Sequence, residues 1–187
     1  LDPERSPAQT LGGEAAELLE KIRASGHRMV LSNLLARAFQ RERWEDAAGL
    51  AAGFLDLTQQ RSEASGADHD TEAKLAQAHE MVGSTSLLAG RPDMAILHFR
   101  QAGTIRQLLV DLAPGDTQAQ TGLAHNLGAL GMCHYQLGQL EQALEALVRS
   151  AAIYRQLADQ APDDRATQDK LANVLHFLGH TQAGLGD

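Results

Sequence analysis

The chain has 187 residues, a formal net charge of −8 and 4% aromatic residues. Alanine and leucine supply 31 and 29 positions, valine and isoleucine together only nine. That balance favours helices and sets aside an all-β fold, because strands draw on β-branched and aromatic side chains. A single cysteine excludes an internal disulfide framework. No apolar run reaches the roughly 18 residues of a membrane span, so no membrane is expected. The acidic balance argues against nucleic acid, whose phosphates need clustered Lys and Arg.

In chain order, residues 1–26 form a lead. Pro3 and Pro7 open it, and a helix is predicted over 13–25, amphipathic through Ala15, Leu18, Leu19 and Ile22. It reads as an N-terminal cap. From residue 27 the chain repeats itself. Leu75–Arg91, Leu123–Gln139 and Leu171–Asp187 align without a gap at a spacing of 48. Leu75, Leu123 and Leu171 match, as do Gly83, Gly131 and Gly179, and Gly90, Gly138 and Gly186. A weaker copy begins at His27. The units are therefore 27–74, 75–122, 123–170 and a truncated 171–187.

Each unit predicts two helices. In the third, Leu123, Leu127, Leu130, Cys133 and Leu137 recur at helical spacing, and Gly138 closes that helix. The second helix is predicted over about Leu140 to Gln160, with Ala143, Leu144, Leu147, Ala151 and Tyr154 on its apolar face. Pro162 and Asp163-Asp164 end it and start the next helix. Ala47, Ala95 and Ala143 align early in the second helices, and Pro92, Pro114 and Pro162 fall at predicted joints.

These residues resemble the tetratricopeptide repeat. The family's Leu-Gly step, Leu-Gly turn and early alanine of the second helix correspond to Leu130-Gly131, Leu137-Gly138 and Ala143. Val82-Gly83, Ala89-Gly90 and Ala95 follow in the second unit, and Leu178-Gly179 and Leu185-Gly186 in the fourth. The first keeps only Ala47, with Leu34-Leu35 replacing Leu-Gly. The usual unit is about 34 residues, and the surplus here is close to two extra turns per helix. A HEAT-like array, with a period of about 40–47, is the alternative all-α solenoid. The resemblance implies an all-α, right-handed solenoid of antiparallel helix hairpins. Long-unit arrays of this kind resemble those attached to bacterial signalling proteins, and the chain, which starts at Leu1 and stops after Gly186-Asp187, reads as a fragment of such a protein.

Positions that agree between units read as structure, and those that vary are candidates for function. The resemblance places the first helices on a concave face. Projected onto this chain, that face carries Met29, Ser32, Asn33, Ala36, Phe39 and Gln40 in the first unit, and Gln77, Glu80, Met81, Ser84, Leu87 and Leu88 in the second. His125, Gly128, Ala129, Met132, Tyr135 and Gln136 follow in the third, and Asn173, His176, Phe177 and His180 in the fourth. The family's best-known groove grips a peptide carboxylate with Lys, Arg and Asn. This projected face has no Lys or Arg, so an apolar helix or extended segment is the expected guest.

Catalytic signals are weak. His176 and His180 share a helix face, a spacing that binds metal in some proteins, but no glutamate lies between them for catalysis. Cys133 and His134 are adjacent and point about 100° apart on a helix, so the cysteine reads as a small apolar filler. His79 aligns with Leu127 and Leu175 and reads as a semi-buried structural histidine. No phosphate loop, dinucleotide fingerprint or nucleophile elbow is present. The expected function is a non-catalytic, cytoplasmic protein- or peptide-binding scaffold with no cofactor and no metal. The alternatives are self-association through exposed repeat ends, and a metal or enzymatic role for His176 and His180.

Overall fold

The computed structural model of the protein describes residues 44–65 and 68–186. The predicted helix over 13–25, the first helix of the first unit, Met29 and Asn33 lie outside the described residues. Among the described residues the fold is six α-helices: α1 (Trp44–Ser65), α2 (His69–Leu88), α3 (Pro92–Leu112), α4 (Thr117–Gln136), α5 (Leu140–Gln160) and α6 (Arg165–Leu185). The helix predicted over Leu140–Gln160 is α5, with those bounds. None of the six is long and apolar enough to cross a membrane.

The chain divides into two compact units, one ending at Arg91 and one beginning at Pro92. In the first, α1 packs on α2. In the second, α3 packs on α4, α4 on α5 and α5 on α6, and α4 also touches α6. Packing is thus mainly between sequence neighbours, consistent with an antiparallel helical array.

Two kinds of joint recur at the 48-residue spacing. Asp68, Asp116 and Asp164 are the N-caps of α2, α4 and α6, each accepting from backbone N–H groups of the first turn. An aspartate at this place satisfies donors that the helix itself leaves free and opposes the positive end of its dipole. In the second unit the joint carries a further clasp. Gln120 Nε2 donates to the Pro114 carbonyl, and Gln168, its equivalent, does the same to Pro162. The other joint is glycine. Gly90, Gly138 and Gly186 have φ of +72°, +70° and +88°, the left-handed conformation that ends a helix. After α2 the Arg91 N–H donates to Ser86 O, and after α4 the Gln139 N–H donates to His134 O, at 2.8 and 2.9 Å.

Burial follows the same spacing. Ala47, Ala95 and Ala143 are each 0% exposed, as are Thr85, Cys133 and Thr181. The two threonine hydroxyls donate to the carbonyls of Met81 and Phe177 on their own helices, at 2.9 and 2.8 Å. A buried hydroxyl bonded this way leaves no unmet donor, so threonine and cysteine fill the position alike. The second unit's core joins Ala124 of α4, Ala143, Leu147, Ala151, Tyr154 and Leu157 of α5, and Val174 and Leu178 of α6. Gly131 brings α4 close to α5. A Cβ there would lie 2.7 Å from Leu147 Cγ. Ser150 Oγ of α5 then donates to the Ala124 carbonyl at 2.7 Å.

Candidate functional site

A cleft of about 120 Å³ lies in the second unit, where α4 and α6 meet above α5. The contributions of α4 are His125, Gly128, Ala129 and Met132, one face of the helix at i, i+3, i+4 and i+7. Asn173, Val174 and Phe177 come from α6, and Leu147 and Tyr154 of α5 form the floor. Gly128 keeps the floor open: a Cβ there would sit 3.3 Å from both Ser150 Oγ and Val174 Cγ2. The lining is mostly apolar, with a few polar groups that can orient a guest.

Of the projected face, His125, Gly128, Ala129, Met132, Asn173 and Phe177 line this cleft. Tyr135 sits at its margin, its ring edge-on to Phe177 with centroids 6.2 Å apart. The edge contacts continue from Phe177 to His176 at 5.6 Å and from His176 to His180 at 4.5 Å. Such edge-to-face pairs set ring orientation as well as burying area. Both histidines are exposed, as is Gln136. Gln77, Glu80, Met81 and Ser84 lie on α2 in the other unit: Gln77 is exposed, Glu80 is buried, and Met81 and Ser84 are half-buried.

Sequence reasoning missed Lys170, an exposed cation on the cleft's lining. The unit boundary at Leu171 hid it. The aspartate caps start α4 and α6 six or seven residues ahead of Leu123 and Leu171, so each first helix has a further turn and a half. Lys170 lies there, three residues before Asn173. The expectation of a face without Lys or Arg is corrected to a cleft with one lysine and no carboxylate.

The reactive side chains nearby are otherwise engaged. Cys133 is 0% exposed, and burial pushes its thiol up to about 12. His134 Nδ1 lies 2.6 Å from Gln139 Oε1. His79 is buried. Among the described residues no group of three or more His, Cys, Asp or Glu is placed to hold a metal ion. No known protein family matches the chain, and no curated protein matches it either.

Proposed function

We propose that the protein is a non-catalytic interaction module of the tetratricopeptide-like kind, and that the cleft between α4 and α6 receives a segment of a partner protein. The supporting observation is the cleft's composition. Met132 and Phe177 line it together with the apolar Leu147 and Val174, and Lys170, Asn173 and His125 supply its polar groups. Methionine adapts its shape to a guest, and aromatic rings supply rigid contact area. The repeat-wise Leu-Gly and alanine positions, with their matching caps and burial, support the family reading. A guest that fits would place one apolar side chain between Met132 and Phe177 and a carboxylate or carbonyl toward Lys170.

Selection of peptides from a random display library against the whole protein tests this. Binding of a selected peptide is then measured on the parent, Met132→Glu and Tyr135→Ala proteins, with helicity followed by circular dichroism. Met132→Glu is expected to weaken binding by about tenfold or more without loss of helicity, since it puts a charge into an apolar contact. Selected peptides that bind both variants as they bind the parent would overturn the proposal.

A further inference from the structure

The second unit has another opening, on nearly the opposite side of α4. Its volume is about 600 Å³, and it lies between α3 and α5, which do not pack on one another. Leu123, Asn126, Leu127 and Leu130 of α4 form its floor.

Asn126 is the unusual residue. It is 1% exposed, and its Nδ2 donates to the Phe99 carbonyl at 2.8 Å. Its Oδ1 accepts from no group among the described residues. The side chain as a whole is buried, and its acceptor is the part left open at the lining of the groove. At the 48-residue spacing its equivalents are Ala78 and Val174, both apolar. Gly103 stands opposite and departs from its own equivalents, Leu55 and Ala151. A Cβ on Gly103 would lie 3.6 Å from Asn126 Oδ1, an ordinary contact. Packing therefore does not demand a glycine there, although a helix-interior glycine is destabilising relative to alanine. What the glycine does is keep Oδ1 uncovered.

Charge completes the site. Arg100 of α3 and Arg149 of α5 line the same opening, both exposed and neither paired with a carboxylate among the described residues. The carboxylate on the lining, Asp111, accepts from Gln107 Nε2 at 2.9 Å and lies three helical turns along α3 from Arg100. A pocket of this size holds one small molecule. We infer that this groove binds a small amphipathic carboxylic acid bearing an N–H or O–H donor. Its carboxylate meets the guanidiniums, whose planar forks match that group. Its donor meets Asn126 Oδ1, and its apolar chain lies on the leucines. The site is independent of the cleft between α4 and α6.

Amide NMR titration of the 187-residue protein tests this. The probes are 3-hydroxyoctanoate, N-hexanoylglycine, octanoate and octylamine. Saturable shifts at Gly103 and the Asn126 side-chain amide are expected with at least one of the two donor-bearing acids, which identifies a hydroxy acid or an acylamino acid as the preferred source. Octanoate, which lacks the donor, is expected to bind more weakly, and octylamine not at all. Arg149→Glu changes an exposed residue and is expected to weaken binding about tenfold or more. Gly103→Ala is expected to keep the fold and reduce binding of the donor-bearing acid toward that of octanoate. The inference is overturned if neither donor-bearing acid shifts these amides, if octylamine binds equally well, or if Arg149→Glu binds as the parent does.

Discussion

Gly131 and Gly179 occupy the same place in successive units, and alanine at the two sites is predicted to have opposite effects. At Gly131 a Cβ would lie 2.7 Å from Leu147 Cγ, 2.9 Å from its Cδ2 and 3.3 Å from the Ala143 carbonyl. Leu147 is 0% exposed, so its branch must shift within the core, and the Ala143 oxygen is backbone. Overpacking of this kind costs about 1–3 kcal/mol. Helix propensity returns roughly 1 kcal/mol on replacing glycine by alanine. The net for Gly131→Ala is a loss of up to about 2 kcal/mol. At Gly179 a Cβ would meet nothing within 4 Å, so only the propensity gain remains. Gly179→Ala is expected to stabilise by up to about 1 kcal/mol. Urea unfolding followed by helical dichroism reads both changes. With a slope of about 2 kcal/mol per molar urea, the Gly131→Ala midpoint falls by up to about 1 M while that of Gly179→Ala rises. Shifts of the same sign would refute the close approach of α4 and α5 as the reason for Gly131.

Three further outcomes follow from the caps and the core. Hydrogen bonding to the Thr71 backbone N–H, then to its side chain, holds the Asp68 carboxyl below its ordinary value, and the Thr167 hydroxyl chiefly does so for Asp164. A lowered folded value means stability that is complete above the unfolded carboxyl value of about 3.9 and is lost as pH falls through it toward the folded value. Thermal midpoints should therefore drop on acidification below about pH 5, and Asp164→Asn, which caps without titrating, should flatten that dependence; an unchanged slope would count against the cap. Cys133 should resist iodoacetamide at pH 8 in the native protein and react once denatured, because its thiol is buried and pushed up to about 12; labelling in native buffer at the rate of a free cysteine would contradict its burial. Ser150→Ala removes the 2.7 Å bond to the Ala124 carbonyl and should cost about 1 kcal/mol in the same urea assay; a midpoint equal to the parent's would make that bond energetically silent.

Much of the helical framework was legible in the residues. Glycine at 90, 138 and 186 and aspartate at 68, 116 and 164 are local devices, fixed by backbone conformation and free N–H groups. They need no tertiary knowledge, which is why the bounds of α5 emerged correctly. The cleft was legible in part: His125 and Met132 share a face of α4 through helical spacing, while Asn173 of α6 was placed with them by the face that the resemblance projects. Lys170 was not, since the projected face begins only at Leu171, although Asp163-Asp164 already mark the start of the helix ahead of it. Leu147 and Tyr154 were read as apolar helix face, yet they also form the cleft's floor. That depends on the space Gly128 leaves between α4 and its neighbours, a tertiary quantity. The open Asn126 oxygen was equally hidden, because whether an amide oxygen is covered depends on what stands opposite it.

The two joints make the chain a ruler with a fixed unit. Every 48 residues the backbone returns to the same aspartate start and the same glycine stop. A block of that length, gained or lost by duplication or deletion, begins and ends on joints already suited to each other. The helix ends would find their capping partners without compensating change elsewhere. An insertion of another length within a helix would leave its caps in place but shift the buried positions off the 48-residue spacing, so the array can change size by whole steps more readily than by single residues.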